Sequence, residues 1–379
     1  MWILRRLSWI ILLVIGGLLV VLRWTLGGGE RLDDWTTDPV FPEGTLEVVA
    51  DLSLPPGNVA VSGSGRVFFT FHPEGDPRIH VAELIDNKPV PYPDEAFQGS
   101  GTAHFQTPLS LRIDRQNRLW VLDYGRYGIA GQPRLFAFDL KTNRLVDGYD
   151  FPPGVAGMLS MLNDFQVDPE GRKIYIADTS LFARRPALLV YNVENRTARR
   201  LLERHPSVMP KDYLINAAGR DMTLFGLVTL KIGVDSIALD KRGQWLYYAP
   251  VSDDRMYRIA TRDLNDDSLD PAALGAKVEV WGRKTLSDGI TMDVDDNIYI
   301  SDMEHSAILE LRPDHELVTL VKDRRLRWPD GFGFGPDGWV YVTCSALQHV
   351  ILRSRSEIRD QGPYQILRFK PGPLGVPGH

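Results

Sequence analysis

Short apolar runs and polar turns alternate along this chain in a phrase that returns six times. The copies are VAVSGSGRVFFTF (59–71), LRIDRQNRLWVLD (111–123), FQVDPEGRKIYIAD (165–178), IALDKRGQWLYYAP (237–250), ITMDVDDNIYISD (290–302) and FGFGPDGWVYVTC (332–344). Each passes from an apolar stretch through a polar turn into a second hydrophobic stretch that ends near an acid. A self-similar unit recurring at this spacing predicts a propeller or solenoid, because no single unit can bury its own apolar faces.

The pattern resolves into four strands per unit. An apolar inner strand leads into a turn such as Asp168–Gly171, then a strand carrying an aromatic (Trp120, Tyr175, Tyr247, Tyr299, Tyr341). An outer hairpin follows, as in RLFAFDLKTNRLV (134–146) or AILELRPDHELVTLV (307–321). Six such units predict an all-β, six-bladed β-propeller over residues 44–379. TLEVVADL (45–52) is a spare strand before the first unit, and QILRFK (365–370) follows the last. Pairing the two would close the ring and hide both sheet edges. A solenoid would need capping segments, which the sequence lacks. One unit is overlong: an insertion at 196–233 separates blades three and four. It reads either as a lid over the channel or as a solvated surface excursion.

The N-terminus breaks the pattern. After Arg5 and Arg6, Leu7–Leu22 is almost wholly apolar, flanked by Trp2, Trp9 and Trp24. Residues 1–24 therefore read as a transmembrane signal anchor or a cleaved signal peptide, with the remainder exported to the periplasmic or extracellular side. Residues 25–43, rich in Gly, Asp and Pro, read as a linker.

Composition narrows the partners. The 379 residues carry a net charge of −6 without a basic stripe, which argues against nucleic acid. The single cysteine, Cys344, rules out an internal disulfide and sits in an apolar strand, where a buried, inert thiol is expected. No nucleotide-binding loop or G-x-S-x-G elbow is present.

Residues just before the inner strands of a propeller converge on one mouth of the central channel. Here they are Asn58, the Pro108–Ser110 segment, Asn163 with Asp164, Asp235, Asp288 and Asp330. Clustered carboxylates raise one another's pKa unless a positive charge sits between them. Oxygen-rich sets of this kind suit hard divalent cations, calcium above all, and suit zinc poorly. The plain alternative is that Asp and Asn at strand starts satisfy backbone N–H groups of turns. His104 is the histidine best placed for acid–base work near the mouth. His72, His305 and His349 lie beyond their second strands and read as outward or loop residues. Lys231 is a candidate charge partner.

SDGITMDVDDNIYISDMEHSAILEL (287–311), LNDFQVD, GVDSIALD, WPDGFGFGPDGWVYVT and TPLSLRIDRQNRLWVLDYG (107–125) resemble the major royal jelly/Yellow protein family over roughly residues 45–352. The same blades are similar, more distantly, to the regucalcin/gluconolactonase propellers. The second resemblance implies a divalent metal site in which Asp288 matches an aspartate ligand. Asn163 then matches a substrate-side asparagine, Asp235 stands where an asparagine is expected, and Asn58 stands where a glutamate is expected.

Two classes of function follow. One is an enzyme acting on a small molecule by lactone hydrolysis or dopachrome-type isomerisation. Asn58, Asn163, Asp235 and Asp288 would hold the ion, and Asp164, Asp330 or His104 would act in acid–base catalysis. The other is a non-catalytic binder of a small amine, phenol or sugar at the cell envelope. A protein-interaction platform is a third use of such a disc.

Overall fold

In the computed structural model, which describes residues 2–99 and 104–378, six four-stranded antiparallel sheets stand in a ring. The inner strands, in blade order, are Pro56–Val61, Pro108–Ile113, Leu162–Val167, Val234–Leu239, Ile290–Met292 and Pro329–Phe334. Each pairs with the second apolar stretch of its own phrase, as the repeat predicts. The strands are apolar on both faces because neighbouring blades pack face to face. Between blades two and three, for example, Trp120 and Leu122 meet Phe165, Ile176 and Leu189.

Ring closure follows the sequence expectation. Blade six takes its first three strands from Pro329–Phe334, Val340–Cys344 and Tyr364–Phe369, and its outermost from Glu47–Leu52. Glu47 lies opposite Arg368 and accepts its guanidinium at 2.8 Å, so the two ends of the propeller chain are joined by a ladder and an ion pair. Cys344 is buried in this blade, and burial pushes its thiol up to about 12.

The end of the chain crosses the disc face that carries the inner turns. There Val376 is buried, its N–H reaches Met292 O at 3.2 Å, and Arg115 Nε donates to Pro377 O at 3.4 Å. That segment covers the far side of the channel and leaves the opposite mouth as the place to look for a site.

Three boundaries differ from the sequence reading. Thr197–Leu201 is the outer strand of blade three, so the excursion begins after Leu201 rather than at Arg196. The arginine-rich stretch belongs to the sheet because Arg200 pairs with Asp178 and Glu203 at the blade edge. The 25–43 segment is pinned along its length rather than free. Glu30 bridges to Tyr213, Thr229 Oγ1 donates to Gly28 O at 2.7 Å, and Thr37 exchanges hydrogen bonds with Thr319. The N-terminal segment is a helix, Trp2–Leu26, yet among the described residues no helix is long and apolar enough to cross a membrane. Met1 and the side chains of Trp2, Arg5 and Arg6 lie outside the described residues.

Candidate functional site at the channel mouth

Local backbone geometry presents the mouth side chains. In blades one, two, three, four and six the inner strand shifts register near its start, at Pro56/Val59, Pro108/Ser110, Leu162/Phe165, Val234/Ser236 and Pro329/Phe332. Such a bulge bends the strand and re-aims the intervening side chains, here including Asn58, Asn163, Asp164, Asp235 and Asp330. The ring is tight at this level: a Cβ on Gly331 would meet Asn58 Cα at 2.6 Å.

The acids of the chain divide into two kinds. Those that recur in the turns of four of the six phrases are structural. Asp114 accepts the N–H groups of Gln116 and Arg118, and Asp168, Asp240 and Asp293 do the same in their turns. Asp123 and Asp178, at the ends of second strands, tie down loops at the mouth by accepting from Gln106, Thr107, Gly125, Met161 and Ser180. The acids just before the inner strands are not used this way. Backbone N–H groups there are satisfied by hydroxyls instead: Thr70 serves Asn58, Ser301 serves Asp288 and Gly289, and Thr343 serves Gly331. The carboxylates of Asp288 and Asp330 are thereby left for the channel.

Beneath the mouth lies a residue the sequence reading missed. Arg112, on the inner strand of blade two, is 2% exposed and donates to Asn58 Oδ1 at 2.5 Å. Its guanidinium stands 3.5 Å from Asp164. Asp164 also accepts from Asn58 Nδ2 at 2.8 Å and Ser110 Oγ at 3.0 Å, so Asn58, Ser110, Asp164 and Arg112 form one closed network. Burial raises the Asp164 pKa while Arg112 and Ser110 oppose the rise. A positive charge beside the carboxylates is the condition set by the sequence, and Arg112 meets it for Asp164.

Above this network Asp235, Asp288 and Asp330 face the cavity with Asn163. Asp235 and Asp288 are hydrogen-bonded to each other. Burial first, then the neighbouring acids, push Asp235 and Asp330 well above the usual carboxylate range. Asp288 is raised less, because Asp235, the Trp328 indole N–H and the charge of Lys284 oppose its burial. Asp235 is thereby raised further than Asp288, as expected of two buried acids that share a hydrogen bond.

Walls of a different character enclose these acids. The cavity of about 160 Å³ is bounded by Phe182, Trp328, Leu347 and, from the excursion, Leu224, Leu230 and Ile232. The excursion forms two short hairpins, Asn216–Ala217 with Arg220–Asp221 and Thr223–Leu224 with Val228–Thr229, and the second roofs the mouth. Of the two roles open from sequence, the lid is the one observed.

Two histidines and a lysine change places relative to expectation. His104 is absent from the cavity wall and packs edge-on against Phe97. Its neighbour Phe105 is buried among Phe97, Phe136 and Phe138, and that cluster draws the segment away from the channel. His72 instead lines the cavity, and burial pulls its pKa down to about 4, leaving a neutral imidazole. An antiparallel second strand returns to the face where the first began, and His72 N donates to Pro55 O at 2.8 Å. Lys231 pairs with Asp212 rather than with the mouth acids.

The donor set fits a divalent ion poorly. Such an ion needs several oxygens converging on one point. Asn58 Oδ1 is taken by Arg112 and by the Val59 N–H, and Asp164 is taken by Arg112 and Ser110. Among the described residues no three carboxylate, imidazole or thiol side chains converge to hold a metal. No step is therefore routed through one.

The chain is thus a six-bladed β-propeller with a covered, acid-floored channel mouth. The chain belongs to the family described as Major royal jelly protein, which it matches over residues 106–331. It is 27% identical over 187 residues to Major royal jelly protein 3 of Apis mellifera, covering 46% of this chain and 32% of that protein. The chain thus spans about a third of that relative's length. The Yellow-related salivary protein LJM17 of Lutzomyia longipalpis is 21% identical over 352 residues, covering 83% of this chain and 81% of that one. Similar solved structures include a gluconolactonase from Xanthomonas campestris (TM-score 0.54, 14% identity, 87% of this chain and 89% of that one). Another is a calcium-binding protein, regucalcin, from Agrobacterium tumefaciens (TM-score 0.53, 15% identity, 90% and 99%). At these identities the likeness concerns the fold.

Proposed function

We propose that the mouth binds a small amine with an apolar or aromatic body, and does so without a metal ion. One observation carries this reading: three carboxyl groups, Asp235, Asp288 and Asp330, floor a cavity with apolar walls, while the nearest guanidinium is committed to Asp164 and Asn58. A buried acid cluster short of counter-charge recruits a cation, and the walls favour one with an apolar body. Trp328 supplies an aromatic wall and an N–H that fixes the Asp288 carboxylate.

The reading is tested by calorimetric titration with tryptamine, with indole as the neutral comparison, in the presence of chelator. Saturable binding of tryptamine alone, weakened by Asp288→Asn, supports it. Equal binding of indole, or binding that requires added calcium, overturns it.

A second reading, proton transfer on the bound molecule as in a dopachrome-type isomerisation, is favoured by the hydrogen-bonded Asp235–Asp288 pair. One member of such a pair can give a proton while the other takes one. Lactone hydrolysis through a polarising ion draws less support, because Asn58, one of the four expected ligands, has its Oδ1 taken by Arg112 and the Val59 N–H. The helix Trp2–Leu26 is proposed as an export or anchoring segment that places this mouth at the cell envelope. Its exposed Trp9, Leu13, Val20 and Trp24, which would suit lipid, support that placement.

A further inference from the structure

The outer edge of blade four carries a charge arrangement that its own ladder does not balance. Strand Glu279–Arg283 pairs with Arg255–Ala260, and the register sets Arg258 opposite Glu279 and Arg255 opposite Arg283. The first pair is a matched ion pair at 2.8 Å. The second puts two guanidinium groups on directly opposed positions, an arrangement that destabilises a ladder unless an anion lies between them. Both arginines are exposed, and neither has a carboxylate partner among the described residues.

The same two arginines line a groove of about 610 Å³ with Trp35, Trp281 and His315. Its volume falls within the range of small-ligand sites. Trp35 comes from the segment that follows the N-terminal helix, and the Arg283 guanidinium lies 5.4 Å from its ring centroid. The one carboxylate in the lining, Asp254, is held by Lys211, so it does not cancel the arginine pair. Across the molecule the signs are opposite: the channel mouth is acidic and the rim groove basic.

We propose that this groove is a second binding site, for an acidic saccharide. The sugar's carboxylate would lie between Arg255 and Arg283, whose planar forks match its two oxygens, and a pyranose face would lie against Trp35. A lipid surface is a poorer match, because Arg255, Arg283, Asp254 and His315 share the lining and Val280 is its one exposed large aliphatic residue. Occupancy would hold the 25–43 segment to the rim through Trp35.

The test is calorimetry and tryptophan fluorescence on the full chain, titrated with trigalacturonate, with maltotriose as the neutral comparison and citrate as the carboxylate without a sugar. Trigalacturonate is expected to bind at one site, with maltotriose and citrate much weaker. Arg283→Gln should weaken trigalacturonate about tenfold or more, the loss expected for one charge-assisted fork. Arg283→Glu should abolish binding and raise the melting temperature, because it gives Arg255 a cross-strand partner; that rise excludes misfolding as the cause. Asp288→Asn at the mouth should leave trigalacturonate binding unchanged. Equal binding of maltotriose or citrate, full affinity in Arg283→Gln, or no binding of trigalacturonate overturns the proposal.

Discussion

The Arg112 guanidinium stands 3.5 Å from the Asp164 carboxylate and 2.5 Å from Asn58 Oδ1, all three buried beneath the channel mouth. A resident side-chain cation thus engages Asn58, one of the four residues expected to hold an ion. Its consequences can be separated by mutation.

Arg112→Met removes the charge while roughly keeping the volume. It leaves Asp164 buried without its partner, so the loss should be about 3–5 kcal/mol of stability. Replacing both members, Arg112→Met with Asp164→Leu, should recover most of that loss, since neither charge is then stranded. Urea unfolding of the two variants checks the pair. Equal destabilisation of both would mean that the network's worth lies in packing rather than charge.

If Arg112 takes the ion's place, calcium, manganese and chelator should all leave the melting temperature of the native chain unchanged. Asn58→Glu combined with Arg112→Ser frees Asp164 and adds a carboxylate at the same level. That variant should gain a metal-dependent upward shift growing as ln(1 + [L]/Kd). A shift in the native chain would contradict the assignment of Arg112.

The mouth acids were legible because they sit just before apolar strands, where a ring must converge, and Asp235, Asp288 and Asp330 do meet there. Arg112 was overlooked although it left a signal. In the aligned phrases it shares a column with Ala60, Gln166, Ala238, Thr291 and Gly333, and is the charged residue among them. A repeat shows the fold through what its copies share, and this side chain matters because it differs. His72 differs for another reason: a position beyond a second strand reads as outward, whereas antiparallel pairing brings it back beside Pro55. The lid could not be read at all, since two-residue strands such as Thr223–Leu224 carry no periodicity.

The acids also set a pH dependence whose sign can be worked out. Asp235 and Asp330 have folded pKa values above the ordinary 3.8, so the folded chain binds more protons than the unfolded one above about pH 4. The stability they contribute is complete below that value and is lost as pH rises through the folded pKa. His72 acts oppositely: depressed to about 4, it costs stability as pH falls from 6.5 toward 4. Asp330→Asn should therefore melt higher than the native chain at pH 8 and show little difference at pH 4. Parallel melting curves at both pH values would refute the raised carboxyl. Amine affinity should rise over the same range as the acids ionise.

The lid makes a kinetic prediction. Leu224 and Leu230 face the acids from the second hairpin of the excursion, and Leu230 is 5% exposed. Removing their side chains, Leu224→Ala with Leu230→Ala, takes apolar surface from the roof without touching a carboxylate. Tryptamine affinity should fall about tenfold or more, from the apolar contact forfeited. Most of that loss should appear as faster dissociation, because encounter is governed by the acids and residence by the enclosure. Stopped-flow tryptophan fluorescence separates the two rates. A fall confined to association would mean that the hairpin guides entry and does not close over the bound molecule.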